Sequence, residues 1–109
     1  MEATIVRAKL TLGVEDEWQI WGDTDLSQID QSASYDKLAE LIAERIGDNY
    51  PDAQVSVGWT RWEQEDNLVV IVRDEDGDEW VLTSSDQAYG TIQQLASEIF
   101  AEWEWAIED

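Results

Sequence analysis

Five consecutive apolar residues, Leu68 to Val72, stand between Asn67 and Arg73. The run is too short for a stable helix, and it does not alternate with polar residues. It therefore predicts a central strand covered on both faces. Asp76-Gly77 follows, a dipeptide suited to the positive φ angles of a tight hairpin, and leads to a further strand over Glu79–Thr83. Upstream, Ala53–Trp62 reads as a strand with Val55, Val57 and Trp59 on one face, joined to the central run by the acidic turn Glu63–Asn67. Three strands linked by short turns predict an antiparallel meander. Nearer the N-terminus, Ala3–Leu12 alternates Val6, Ala8, Leu10 and Leu12 with Arg7, Lys9 and Thr11, which is the strand period. Glu17–Gly22 reads as a short second strand with Trp18 and Ile20 on one face.

Two segments carry the helical period instead. Tyr35–Ile46 has Ser34 as N-cap, Asp36 in the first turn, Gly47 after the last turn and Pro51 beyond. Leu38, Leu41, Ile42 and Ile46 form its apolar stripe. After the N-cap candidates Ser84, Ser85 and Asp86, the residues Tyr89, Ile92, Leu95, Ala96, Ile99, Phe100, Trp103 and Ile107 repeat at helical spacing. The expected fold is α+β, one domain over residues 1–109. An antiparallel sheet of about three to five strands, in the order β-(β)-α-β-β-β-α, is packed on one face by two amphipathic helices as a two-layer sandwich. The central αβββα order resembles a double-stranded-RNA-binding domain in topology only. Such domains hold phosphates with basic loops and helix ends, and the corresponding positions here are acidic.

That acidity runs through the whole chain. Asp and Glu number 26 against six Lys and Arg, giving a net charge of −20. A folded monomer of this mass exposes roughly 6,200 Å², so the surface carries on the order of one net negative charge per 300 Å². Self-repulsion at that density opposes folding. It also repels phosphate backbones and anionic lipid, so direct binding to nucleic acid or membrane is not expected. The expected partner is a basic nucleic-acid-binding protein, with the chain itself a monomer or homodimer. No run of about 18 apolar residues is present to span a bilayer. Met1–Val6 lacks the basic start of a secretory signal, so a cytoplasmic location is expected, that of a host cell if the chain is phage-encoded.

The same composition restricts chemistry. There is no Cys and no His, hence no disulfide, no thiolate and no imidazole base or ligand. P-loop, GxGxxG, HExxH and nucleophile-elbow patterns are absent from the sequence. No enzyme, catalytic residue, cofactor or specific metal site is expected. Asp74-x-Asp76-x-Asp78 begins like a calcium loop, but Gly77 stands at loop position four, Glu79 at six and Ser85 at twelve, so the pattern fails.

The acids are arranged in groups. Asp36, Glu40, Glu44 and Asp48 follow one another four apart, at about 6 Å per step along the axis. They form a ridge opposite the apolar stripe, running just past the end of the expected helix. Like charges at this spacing destabilise a helix, and Asp48 opposes the helix dipole. Asp74, Glu75, Asp76, Asp78 and Glu79 surround one hairpin. Glu63, Glu65 and Asp66 occupy the preceding turn, at the opposite end of the sheet, with the end occupied by Glu15, Asp16 and Glu17 undetermined. Strand cations Arg7, Lys9, Arg61 and Arg73 are expected to pair with acids across the open sheet face.

Seven Trp are present. Trp59, Trp80 and Trp103 fit core or half-core positions. Trp62 has the opposite strand parity, Trp105 falls off the helical stripe, and Trp18 and Trp21 flank a loop. Exposed Trp beside carboxylates suits a protein interface. The alternative is that a chain of this size buries these large aromatics on a second face, and the sequence leaves Trp18, Trp21, Trp62 and Trp105 open between the two. By its size, charge and acidic ridges the chain resembles, as a class, small phage-encoded DNA-mimic inhibitors of the anti-restriction and anti-CRISPR kinds. These share no common fold, so the resemblance assigns no residue a role. It implies an inhibitor that blocks nucleic-acid access to a nuclease or CRISPR-type effector. The alternatives are a salt-adapted domain of a halophile, and an acidic adaptor or immunity protein for one basic partner.

Overall fold

The structure, a computed structural model, describes residues 3–16, 20–23 and 25–108. The elements in chain order are β1 (Thr4–Gly13), a short 3-10 turn (Leu26–Gln28), α1 (Gln31–Asn49), β2 (Gln54–Thr60), β3 (Asn67–Arg73), β4 (Glu79–Val81) and α2 (Gln87–Glu102). The class is α+β, with two helices on one face of a four-stranded sheet.

The sheet is mixed, and here the expected meander is corrected. Its order is β2-β1-β3-β4. β1 pairs in parallel with β2, Leu10 opposite Val57, and antiparallel with β3, Leu10 opposite Leu68. β2 and β3 are thus separated by β1, and the loop between them crosses it, a span of about 10 Å at the usual strand spacing. α1 is the crossover that parallel pairing of β1 and β2 demands. This topology also removes the likeness to a double-stranded-RNA-binding domain, because the strands following α1 are not consecutive neighbours.

One face of the sheet carries the core. Ala8, Leu10 and Leu12 of β1 and Leu68, Val70 and Val72 of β3 lie buried beneath Tyr35, Leu38, Ile42 and Ile46 of α1 and Ile92, Ala96 and Ile99 of α2. A register shift between Ile5 and Arg7 turns Ile5 inward and leaves Val6 only half-buried, as a bulge does. The central run is not covered on both faces as expected. Val69 and Ile71 are half-buried on an open face shared with Arg7, Lys9, Gln54 and Ser56.

Helix α1 begins four residues earlier than its sequence signals suggest. Asp30 is the N-cap and accepts the N–H of Ala33 at 3.0 Å. Ser34 lies inside the first turn and is fully buried. The strand expected over Glu17–Gly22 falls partly outside the described residues, and Ile20 and Trp21 are helical.

Candidate functional site

Burial of the Tyr35–Leu38–Ile42–Ile46 side of α1 fixes where its acids point. Asp36, Glu40, Glu44 and Asp48 are all exposed. A four-residue step overshoots one turn by about 40°, so the row winds through about 120° from Asp36 to Asp48. Its first member rests on the sheet edge, where Asp36 Oδ1 accepts the indole N–H of Trp59 at 2.8 Å. On the opposite flank Arg45 reaches Glu98 and Glu102 of α2, at 4.0 Å each. Arg45 therefore links the two helices and leaves the row unneutralised. Among the described residues no ion pair involves any of the four ridge acids. Asp48 lies within the last turn of α1, which contains no basic residue, so the negative end of the dipole is uncompensated.

A second acidic group stands at the end of the sheet where α1 begins. Glu63, Glu65 and Asp66 occupy the crossover loop. Asp66 Oδ1 accepts the N–H of Gly13 at 2.9 Å, and Glu15 donates its N–H to the Glu63 carbonyl at 3.1 Å. These bonds bring Glu15 and Asp16 to the same end as Glu63–Asp66, which the sequence left undetermined. Glu17 lies outside the described residues. Trp62 projects from this loop and is 87% exposed.

The third group lies about 20 Å away, the length of β3, at the other end of the sheet. Asp74 Oδ1 accepts the N–H of Asp76 at 2.9 Å and of Asp78 at 3.0 Å. Its carboxylate is thereby turned into its own hairpin, whose Gly77 has φ of 88°. Glu79 pairs with Arg73, whose Nε donates to Glu79 Oε2 at 2.9 Å. Glu75, Asp76 and Asp78 remain as exposed carboxylates around the tip. The 13 residues singled out from sequence thus form three separate groups. In two of them an acid, Asp66 or Asp74, also holds the backbone.

Of the strand cations, only Arg73 meets an acid among the described residues. Arg7 donates to Gln54 Oε1 at 3.4 Å. Arg61 lies 5.3 Å from the centre of the Trp59 ring and donates to Ser32 Oγ at 2.9 Å. The open sheet face carries Arg7, Lys9 and Arg73, and Glu79 is the one acid of the four strands on that face.

Trp59 is half-buried against the core, as expected. Trp105 is fully buried and Trp21 nearly so, whereas Trp80 and Trp103 are 44% and 41% exposed. Trp103 ends α2 in the left-handed region, with φ of 59°. The chain reverses there, and Trp105 folds back under Phe100, donating its indole N–H to the Phe100 carbonyl at 3.0 Å. Trp21 packs on Trp105 at 5.0 Å and donates to Tyr35 Oη at 2.9 Å. This aromatic group closes the end of the core beside the crossover loop. A lone signal, the polar break at Glu102–Glu104, marks the helix end that makes it.

Among the described residues one carboxyl, that of Asp25, has a shifted ionisation. The Ser27 hydroxyl, and then its backbone N–H, donate to Asp25 and hold it below the ordinary Asp range. No helix among the described residues is long and apolar enough to cross a membrane. No protein-family model, curated protein or solved structure matches this chain.

Proposed function

We propose that the chain is a small acidic nucleic-acid mimic of the phage counter-defence, anti-CRISPR-like kind. It occupies the basic DNA- or RNA-binding groove of a target, a nuclease or CRISPR-type effector, and blocks nucleic-acid access. The observation that carries this reading is the exposed row Asp36, Glu40, Glu44 and Asp48, free of ion pairs to any described cation. The row steps by about 6 Å, whereas phosphates along one strand step by about 3.4 Å. One row therefore stands in for alternate phosphates, and Glu63 and Glu65 form a separate group at the sheet end where α1 begins. Long-range attraction to a basic groove gives fast, salt-sensitive association.

Salt adaptation is the competing explanation of the charge. It spreads carboxylates evenly, because its purpose is hydration of the whole surface. Here β1 has no acid and β2 has no charge at all, while acids stand on both helices, in the loops and at the two sheet ends. That unevenness favours a partner. An acidic adaptor seated on Trp62 is the second reading, favoured by the 87% exposure of that ring.

Two measurements separate the three. A thermal melt by circular dichroism at 20 mM and 2 M NaCl should find the chain folded in both. A chain unfolded at 20 mM and folded at 2 M would mean that the charge answers the solvent. Displacement of labelled duplex from a CRISPR-type effector or a nuclease should then occur at 50 mM salt and fade by 500 mM. D36N/E40Q/E44Q should weaken displacement at least tenfold. Displacement kept by that variant and lost by Trp62→Ala would transfer the function to the adaptor reading.

A further inference from the structure

Among the described residues the outer edge of β2 carries no charge, no proline and no bulge. Such edges are blunted by charge, proline, bulges or an overlying segment, since their free N–H and C=O groups template pairing with another strand. Gln54–Thr60 contains no charged residue and no proline, and its pairing with β1 runs without a register shift over seven residue pairs. In a chain of net charge −20 an uncharged edge of this length is conspicuous.

The direction of its free groups follows from the register. Val14 donates its N–H to the Thr60 carbonyl at 2.9 Å, so Thr60 faces β1. Backbone groups alternate along a strand, so Ser56 and Gly58 also face β1, and Val55, Val57 and Trp59 direct their N–H and C=O outward. Among the described residues β2 has no strand partner besides β1.

Charge identifies what fits there. Exposed Asp48 and Asp52 stand before the edge and Asp36 on its Trp59 flank, while the exposed Arg61 directly follows it and the loop then carries Glu63 and Glu65 away over β1. A second copy of this chain brings a second net charge of −20 to the seam, a repulsion that Arg61 beside Asp52 in a two-fold antiparallel pairing offsets only in part. An extended segment with β-forming residues at its centre and Lys or Arg at its ends meets an uncharged edge with Asp48 and Asp52 at one end and Asp36 at the other. We infer that the β2 edge is a strand-addition site for a basic extended segment of the partner protein. Main-chain hydrogen bonds supply affinity there, and Asp48, Asp52 and Asp36 supply selectivity. The inference rests on the reading above that the partner is basic, and it names where part of that partner docks.

The test uses the full chain and three synthetic peptides with blocked ends. The first is Lys-Lys-Thr-Val-Thr-Val-Thr-Val-Lys-Lys. The second is the same peptide N-methylated at alternate central residues. The third keeps the four Lys around a Gly-Ser centre. Amide hydrogen exchange is read by NMR at 50 mM salt. In the free protein, Val55, Val57 and Trp59 should exchange at least tenfold faster than Ser56 and Gly58. The first peptide at saturation should slow those three at least tenfold, and the other two should not. Val57→Pro, which removes an outward N–H and no bond to β1, should abolish the protection while leaving the far-ultraviolet circular dichroism unchanged. Should that variant unfold, the N-methylated peptide makes the same test on the other strand. The inference is overturned if the three amides are already protected in the free protein, whether by its own chain or by a second copy in a concentration-dependent way. It is equally overturned if the first and third peptides bind alike without protecting them, a result that leaves a basic partner standing and removes only the edge. Binding of none of the peptides, with the duplex-displacement result negative as well, would remove both readings.

Discussion

Ser34 Oγ accepts the backbone N–H of Ile107 at 2.8 Å while donating to the Asp30 carbonyl at 2.7 Å. The two residues are 73 positions apart in the chain. Asp30 completes the clamp by donating its N–H to the Ile107 carbonyl at 2.9 Å. One buried hydroxyl thus ties the tail that follows α2 to the first turn of α1. Ser34→Ala leaves the N–H of the half-buried Ile107 without its side-chain partner, which should cost about 1 kcal/mol, the lower end of the range for an unsatisfied donor. Urea denaturation should record that loss without a change in m-value.

The tail held in this way carries Trp105, which is fully buried and stacks on Trp103 at 4.9 Å and Phe100 at 5.4 Å. Trp105→Ala should cost about 3–5 kcal/mol, the usual range for removing a buried aromatic. Trp103→Ala, at a ring 41% exposed, should cost clearly less. Near-ultraviolet circular dichroism of the two variants, beside their urea midpoints, checks the order. An equal loss for both would mean that the aromatic group is not organised around Trp105.

Much of this architecture could be read from the residues, and the failures have identifiable causes. Apolar periodicity located both helices and the strands β1 and β2, because burial on one face imposes it, and the continuous run Leu68–Val72 marked β3. The α1 start was misplaced because Asp30 and Ser34 are both good caps, and a contact from Ile107 decides between them. Pairing was misread because a six-residue connection spans a hairpin and a crossover of one strand equally well. Trp105 stays open between core and interface in the sequence because the left-handed turn at Trp103 breaks the helical phase. The exposure of the four acids was legible, since it follows directly from the opposite stripe, but Asp48 lies inside α1 and not past its end. The uncharged β2 edge was not, because edge position depends on which strands pair.

The crossover makes its own prediction at Gly13. A Cβ there would lie 2.5 Å from the Glu65 carbonyl oxygen and 2.8 Å from that of Glu63. Both are backbone atoms of the loop that passes over β1, so relief requires the loop to move. Gly13→Ala should destabilise by about 1–3 kcal/mol, as overpacking does. Gly58→Ala meets nothing within 4 Å and should be close to neutral. An antiparallel β2–β3 hairpin would make Gly13 as tolerant as Gly58, so the pair of thermal melts also checks the strand order.

Asp25 gives a pH dependence of known sign. Bonds from Ser27 hold its folded-state carboxyl below the ordinary range. Folding therefore gains from the ionised form above the unfolded-state value, near 3.9. That gain disappears as pH falls through the folded value. Asp25→Asn should narrow the stability difference between pH 6 and pH 2, and the two proteins should converge at the acid end. Carbon-detected NMR titration of Asp25 together with melts across this range checks it. A widened difference would contradict the assigned bonds.

The ridge itself should be a source of instability in the free protein. Like charges four apart on a helix cost a few tenths of a kcal/mol per pair at low salt, and no described cation neutralises this row. Glu40→Gln with Glu44→Gln removes repulsion between neighbours and touches no hydrogen bond of the described structure, so the melting temperature at 20 mM NaCl should rise. Salt screens the same repulsion over about 10 Å at 0.1 M and about 3 Å at 1 M, so the advantage of the double variant should shrink towards zero at 1 M. Asp36 should behave differently, because its carboxylate accepts the Trp59 indole N–H. Asp36→Asn keeps an acceptor and should be neutral or mildly stabilising, whereas Asp36→Ala should lose stability at every salt concentration. A double variant destabilised at 20 mM would show that the row is compensated within the fold, and would take away the argument that its charges are held for a partner.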